Sequence, residues 1–343
     1  MRAVKLYAPG DLRIVEMEKP KPGPNQVLLQ VKAVGICASD IHYFRDGGIG
    51  DNVVTEPLIL GHEFSAVIAE IGPDVQNVKP GDRVAVEPAE PCWQCDLCKQ
   101  GDFNLCRSIK FCGTPPHDGA FREFMAYPAS LAVPVPQSMD FGEIAMLEPI
   151  AIGVYAVDLA QPVRDRTIGI LGAGGIGISI LQAVRVAGAG DVYVTDLIPE
   201  RLRYAERLGA TRTFDANDPK VVDKVIAATG GRGLDIVFEA AGENEAVCQA
   251  TEMVRPGGLV MVGGIPRDDF MTVKASVVRR KGLTIRLIRR SNRTLERSIR
   301  LVLDGQINAS ALITHRLPLE RVVDAFEIAR DRRDGALRVV VEM

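Results

Sequence analysis

No stretch of the sequence supplies the roughly 18 or more uncharged apolar residues that a membrane-spanning helix needs. Neither sign of charge dominates: 41 Lys and Arg face 44 Asp and Glu, a net charge of -3, so neither nucleic acid nor a membrane is expected as a partner. Internal repeats and low-complexity segments are missing too, and 47% hydrophobic with 25% charged residues fits a soluble globular enzyme better than a disordered chain. No long apolar segment with a cleavage site precedes the alternating run that starts at Met1, and the expected location is cytoplasmic. Cysteine is scarce and odd in number. Of seven, four crowd between Cys92 and Cys106, which in a reducing compartment suggests metal ligation more than a disulfide framework.

What is present centres on the run from Thr167 to Asp196. Ile168 to Leu171 is a short apolar run, Gly172, Gly174 and Gly177 give G-x-G-x-x-G, and Ile176, Ile180 and Val184 mark one face of a helix. The first glycine permits a tight turn, the second lets the backbone approach a pyrophosphate, and the third lets helix pack closely on strand, while the helix N-terminus offers N–H groups to the anion. A second strand, Val192 to Thr195, ends on Asp196, whose carboxylate can accept hydrogen bonds from ribose hydroxyls and would repel a 2′-phosphate; this predicts NAD over NADP. Gly175 and Ile176 within the turn and Arg201 beyond the acid are counted with the cofactor contacts.

At 343 residues the chain is long enough for two domains. Up to about Val86 it reads as short β runs broken by proline and glycine, among them Val27 to Val34, Ser65 to Ile71 and Arg83 to Val86. Cys37, His62 and Glu63 in this region are competent zinc ligands, although a lone cysteine is more often buried filler and a lone histidine a structural residue. The spacing C-x2-C-x2-C-x7-C of Cys92, Cys95, Cys98 and Cys106 lets four thiolates reach one tetrahedral centre, the signature of a structural zinc. Strands are expected at Ala120 to Ala126 and Leu131 to Val135, then a helical stretch from near Phe141 that carries Glu148 among apolar residues. That carboxylate is either buried beside a metal or its water, or a solvated helix-end acid.

After Asp196 the βα alternation continues through helices at 199–208, 219–228 and 243–254 and strands at Arg212 to Phe214, Leu234 to Phe238 and Leu259 to Val262. Leu283 to Ile288 is the expected sixth strand of a doubly wound sheet, at an edge where a second subunit can pair. From Arg279 to Arg300 the chain is basic, which reads either as a solvated face with oligomer salt bridges or as a source of arginines for an anionic or polyhydroxylated substrate. A last alternating run, Ala336 to Glu342, suggests a tail that returns to the first domain, and His315 beside it reads as structural.

These residues resemble a known family. G-I-C-A-S-D-I-H-Y at 35–43, L-G-H-E at 60–63, G-D-R-V-A-V-E-P at 81–88, the four-cysteine lobe, F-C-G-T-P-P-H-D-G-A-F at 111–121, L-E-P-I-A-I-G at 147–153 and the central glycine turn are similar, over essentially the whole length, to the zinc-dependent medium-chain dehydrogenases, most of all their polyol (sorbitol and xylitol) branch. The resemblance implies a GroES-like, mostly β catalytic domain at 1–150, completed by 290–343, and an NAD-binding Rossmann domain with a six-stranded parallel sheet at 151–289. It implies that Cys37, His62 and Glu63 hold a catalytic zinc, with Glu148 as a fourth ligand or bound through the metal's water. Ser39 and His42 match proton-relay positions, and Tyr43, Phe111, Thr114 and Arg289 match substrate-pocket positions. Arg290 stands where an aromatic residue is expected after the pocket arginine. The implied chemistry is oxidation of a secondary alcohol of a polyol to the ketose, by zinc-alkoxide formation and hydride transfer to NAD in a cleft between the domains; the implied assembly is a tetramer or dimer. A sugar acid such as L-idonate or a sugar alcohol phosphate such as galactitol phosphate is the alternative substrate. A non-catalytic structural or regulatory protein that keeps the fold is the alternative from another class, but it would be expected to lose ligands or relay residues, and all are present.

Overall fold

Runs in which Val, Ile and Leu recur with polar residues between them fold here chiefly as one seven-stranded mixed sheet and one six-stranded parallel sheet, together with a three-stranded and two two-stranded sheets, in two compact units. The first comprises Met1–Glu148, Leu295–Arg300 and Ala309–Met343; the second comprises Pro149–Thr294 and Leu301–Asn308. The structure, a computed structural model, describes residues 1–343.

In the first unit the strands that matter for the site are β1 (Gln26–Gly35), β2 (Glu63–Ile71), β3 (Arg83–Val86), β4 (Phe124–Pro128), β5 (Ala132–Val135), β12 (Ile313–Pro318) and β13 (Arg338–Glu342). They form a seven-stranded sheet in the order β5-β3-β2-β1-β13-β12, with β4 also paired to β1. The tail strand β13 lies antiparallel to β1, Val340 opposite Gly35. Phe44, Phe121 and Phe326 meet edge-on or tilted with ring centroids 5.3 and 5.4 Å apart, and burying each ring contributes about 1.5–3 kcal/mol. The strand expected from Ala120 begins only at Phe124. The preceding N–H groups are drawn to another partner: Gly119, Ala120 and Phe121 donate to the carbonyls of Ile59, Gly61 and Leu60, which satisfies backbone that a longer β4 would otherwise pair.

In the second unit β6 (Ile168–Leu171), β7 (Val192–Asp196), β8 (Arg212–Asp215), β9 (Leu234–Glu239), β10 (Val254–Val262) and β11 (Thr284–Leu287) make the parallel six-stranded sheet in the order β8-β7-β6-β9-β10-β11. β10 starts earlier than its apolar run. Val254 already pairs with Leu234, and an irregularity absorbs the Pro256-Gly257-Gly258 turn that reads as a break in sequence. The chain winds outward from β6 through β7 to β8, then returns to place β9 beside β6. That reversal is the topological switch point at which doubly wound sheets take ligands. No helix is long and apolar enough to cross a membrane.

Candidate active site and metal centres

Two neighbouring strands and a turn bring the first donor set together. β1 ends at Gly35, directly opposite Glu63 at the start of β2, and Cys37 follows as N-cap of helix α1 (Ala38–Asp46). A Cβ on Gly35 would stand 2.7 Å from Glu63 Oε2 and from the Met146 side chain, so a larger residue there would displace the Glu63 carboxylate from this position. The ligand atoms of Cys37, His62 and Glu63 all lie within 4.8 Å of one another. Glu148, on helix α2 (Leu147–Leu159), is buried, and its Oε2 has no hydrogen-bond partner. Glu63 Oε1 is likewise buried without one.

The electrostatics ask for a cation. Burial, and then the Glu63 carboxylate, push the Cys37 thiol up to about 12. Burial raises the Glu148 carboxyl well above the usual range, and the nearby Glu63 and Cys37 add to the shift. One guanidinium faces these acids, Arg338 at the head of β13, 5% exposed, whose Nε donates to Glu63 Oε2 at 2.9 Å. A half-buried sulfur, a buried imidazole and buried carboxylate oxygens with orphaned lone pairs fit a zinc ion with a position left open.

Two residues that carry the centre escape a reading of the sequence. Asp40, 1% exposed, accepts the Cys37 N–H through Oδ2 (2.9 Å) and the Gly61 N–H through Oδ1 (3.0 Å), and Oδ1 lies 3.8 Å from His62 Nδ1. It thereby fixes the peptides on either side of the set and sits where an outer-shell carboxylate orients a ligating histidine. Its signal is an acid three residues after an N-cap. Arg338 left no comparable mark beyond an arginine inside an otherwise apolar run. Ser39, half-buried, hydrogen-bonds to the Cys37 side chain. His42 follows one turn later, its Nδ1 3.6 Å from Asp46 Oδ2. Phe111 packs on His62 with ring centroids 5.0 Å apart, Thr114 lies half-buried in the same loop, and Tyr43 is buried in the core of the unit. Arg289 and Arg290 belong to the second unit. Arg289 is exposed, whereas Arg290 is half-buried with a fully covered Nη1 and φ of 55°.

The second donor set is local. Cys92, Cys95, Cys98 and Cys106 bring their sulfurs within 4.8 Å of one another. Two of the S···S separations are 4.0 and 3.9 Å, near the ~3.8 Å edge of a tetrahedron with Zn–S of about 2.3 Å. Backbone N–H groups point at the sulfurs: Cys92 N–H at Cys106 Sγ (3.2 Å) and Cys95 N–H at Cys92 Sγ (3.4 Å). Backbone donation from Cys98 pulls the Cys95 thiol down to about 6. All seven cysteines of the chain are free thiols.

In the second unit the glycine turn links β6 to helix α3 (Gly175–Val186). A Cβ on Gly177 would overlap the Gly172 carbonyl oxygen, so helix and turn touch as a pyrophosphate cradle requires. Asp196 closes β7. It is buried, with Oδ2 accepting the Ala173 N–H at 2.7 Å and Oδ1 the Ile198 N–H at 2.9 Å, so its carboxylate is locked against the turn. Arg201 approaches the same turn, its Nη1 3.6 Å from where a Gly174 Cβ would stand.

Comparison with known proteins agrees with both units. Residues 23–137 match the model of the alcohol dehydrogenase GroES-like domain, and residues 175–304 that of the zinc-binding dehydrogenases. The chain is 34% identical to the sorbitol dehydrogenase of Bacillus subtilis strain 168 over 99% of its own length and 97% of the relative's. It is 38% identical to the sorbitol dehydrogenase of Gallus gallus over 96% and 93%. Among solved structures, an Escherichia coli oxidoreductase/dehydrogenase of unknown specificity involved in membrane biogenesis superposes with a TM-score of 0.93 at 33% identity, covering 99% of this chain and 98% of the other. A short chain alcohol dehydrogenase from E. coli CFT073 complexed with NADH does so at 0.90 and 29%, covering 100% and 99%. A zinc-binding dehydrogenase from Sinorhizobium meliloti 1021 bound to NADP does so at 0.90 and 31%, covering 100% and 99%.

Proposed function

Since the chain belongs to the zinc-dependent medium-chain dehydrogenases, in their polyol branch, we propose that it oxidises a secondary alcohol of a sorbitol- or xylitol-like polyol to the ketose, with NAD as hydride acceptor. The observation that carries this reading is the convergence of Cys37, His62 and Glu63, with the buried Glu148, its Oε2 orphaned, near enough to interact electrostatically with all three, in a chain that also holds a dinucleotide turn. Zinc supplies Lewis acidity at the substrate hydroxyl when bound, and the nicotinamide supplies the hydride acceptor. Ser39 and His42 lie three residues apart on one helix, and hence on one face. A proton accepted at Ser39 Oγ passes by way of the His42 imidazole toward solvent. Glu148 offers its free oxygen to the substrate or to a water. Asp40 and Arg338 hold His62 and Glu63 in register while this happens. In the second unit Asp196 favours NAD, because a 2′-phosphate would meet its carboxylate.

The four-cysteine lobe takes a second, structural zinc in this reading, about two per chain in all. The assembly is a homo-oligomer, dimer or tetramer, paired through β11, whose four residues are all exposed, Leu287 to 59%. A screen of NADH formation by the zinc-loaded protein with sorbitol, xylitol, L-idonate and galactitol 1-phosphate tests the substrate. Turnover of the neutral polyols is expected, and strict preference for either anionic compound overturns the polyol reading in favour of the arginine-directed one.

A further inference from the structure

The C-terminal ends of β6, β9 and β10 converge on a buried carboxylate that the reading above leaves without a task. Glu239 closes β9, opposite Leu171 at the end of β6 and Val262 at the end of β10. It is 0% exposed. Its Oε1 accepts the N–H groups of Ala241 (2.8 Å) and Gly242 (2.7 Å), and its Oε2 accepts that of Gly264 (3.1 Å). The backbone around it is built for contact. A Cβ on Gly172 would stand 2.8 Å from Ala241 N, and one on Gly264 would overlap Gly242 N and stand 2.6 Å from Glu239 Oε2. Three loops therefore touch at one point: the cofactor turn after β6, the loop after β9 and the loop after β10. Three N–H donors aimed at one side chain need an acceptor-only group, which an ionised carboxylate is and an amide is not.

This point lies at the switch of strand order between β6 and β9. In such a sheet the half beyond the switch takes the second nucleotide of a dinucleotide. We propose that Glu239 is a positioning residue for the nicotinamide half of the cofactor: its carboxylate pins the loops after β9 and β10 against Gly172 and so preforms the wall of the crevice on that side. The proposal rests on the dinucleotide reading of Gly172 to Gly177. It extends that reading from the adenosine half, served by Asp196, to the other half of the sheet.

The test is Glu239→Gln, which keeps the size but turns an amide NH2, a donor, toward an N–H. Titration calorimetry on zinc-loaded protein compares NAD with AMP, the latter probing the adenosine half alone. The expected result is an NAD affinity lower by about tenfold or more, with AMP affinity and zinc content unchanged. Unchanged NAD affinity, or equal loss of NAD and AMP, overturns the proposal. Wild-type protein that binds neither NAD nor NADP overturns the dinucleotide reading instead, a separate outcome. Should the variant fail to fold, hydrogen exchange on cofactor-free wild type decides. The amides of Ala241, Gly242 and Gly264 are expected to exchange as slowly as those of the central strands, and fast exchange that NAD alone suppresses overturns preformation.

Discussion

The two candidate metal centres are opposite constructions. The lobe takes all its donors from one loop, Cys92 to Cys106, held by N–H···S contacts within the loop and by the two-pronged pairing of Arg107 with Asp96. The Cys37 centre takes its donors from the turn after one strand and from the start of another, with Glu148 on a helix close by. It depends on Arg338, 275 residues from Glu63 along the chain. Four sulfurs leave no vacancy, whereas a mixed sulfur, nitrogen and oxygen set with orphaned oxygens does. A closed centre can be local because it only has to hold a loop. An open one has to be buried, and burial in this fold means assembly from distant strands.

The comparison breaks most directly at Cys37. Cys37→Ala is expected to reduce polyol oxidation to background and to remove one of about two zinc ions, by steady-state assay and elemental analysis. A variant that still oxidised polyols at the native rate would falsify the distributed centre as the catalytic one. Arg338→Met comes next. It leaves Glu63 a buried charge without its guanidinium, and losing one partner of a buried pair costs about 3–5 kcal/mol. Urea unfolding of the metal-free protein should register that loss, and an unchanged midpoint would mean that Glu63 does not need the pair. Cys95→Ser carries the smallest effect on turnover. It should remove the lobe's zinc and expose residues 92–107 to proteases while leaving the KM for polyol and NAD near native values. Strong loss of turnover in that variant would show that the lobe is not a separate, local device.

The same division explains what could be read in the sequence. The four cysteines and the glycine turn were legible because each motif spans a single loop, so that spacing along the chain is nearly geometry in space. The six-strand alternation was legible because buried parallel strands are short apolar runs. Cys37, His62 and Glu63 are ambiguous as single residues and are grouped in sequence only by the family resemblance; the Gly35–Glu63 register is what joins them in space. Asp40, Arg338 and Glu239 are not legible in sequence, because a charged residue looks solvated until its partners are known. Arg338 meets Glu63 across a strand pairing, and Glu239 meets three backbone groups that no pattern of side chains encodes.

The finest distinction between the centres is the state of their thiols once metal is removed. Backbone N–H donation holds the Cys95 thiol down at about 6, whereas burial and the Glu63 carboxylate hold that of Cys37 up at about 12. The sign follows directly. At pH 7 Cys95 is above its pKa and mostly thiolate, the reactive form, while Cys37 remains a protonated thiol. Brief treatment of chelator-stripped protein with iodoacetamide at pH 7, read by peptide mass spectrometry, should therefore label Cys95 well before Cys37. Lowering the pH to 5 should slow Cys95 sharply and leave the already slow Cys37 little changed. Equal labelling at pH 7 would mean that the buried centre opens without its metal, and that its enclosure depends on the ion more than on Asp40 and Arg338.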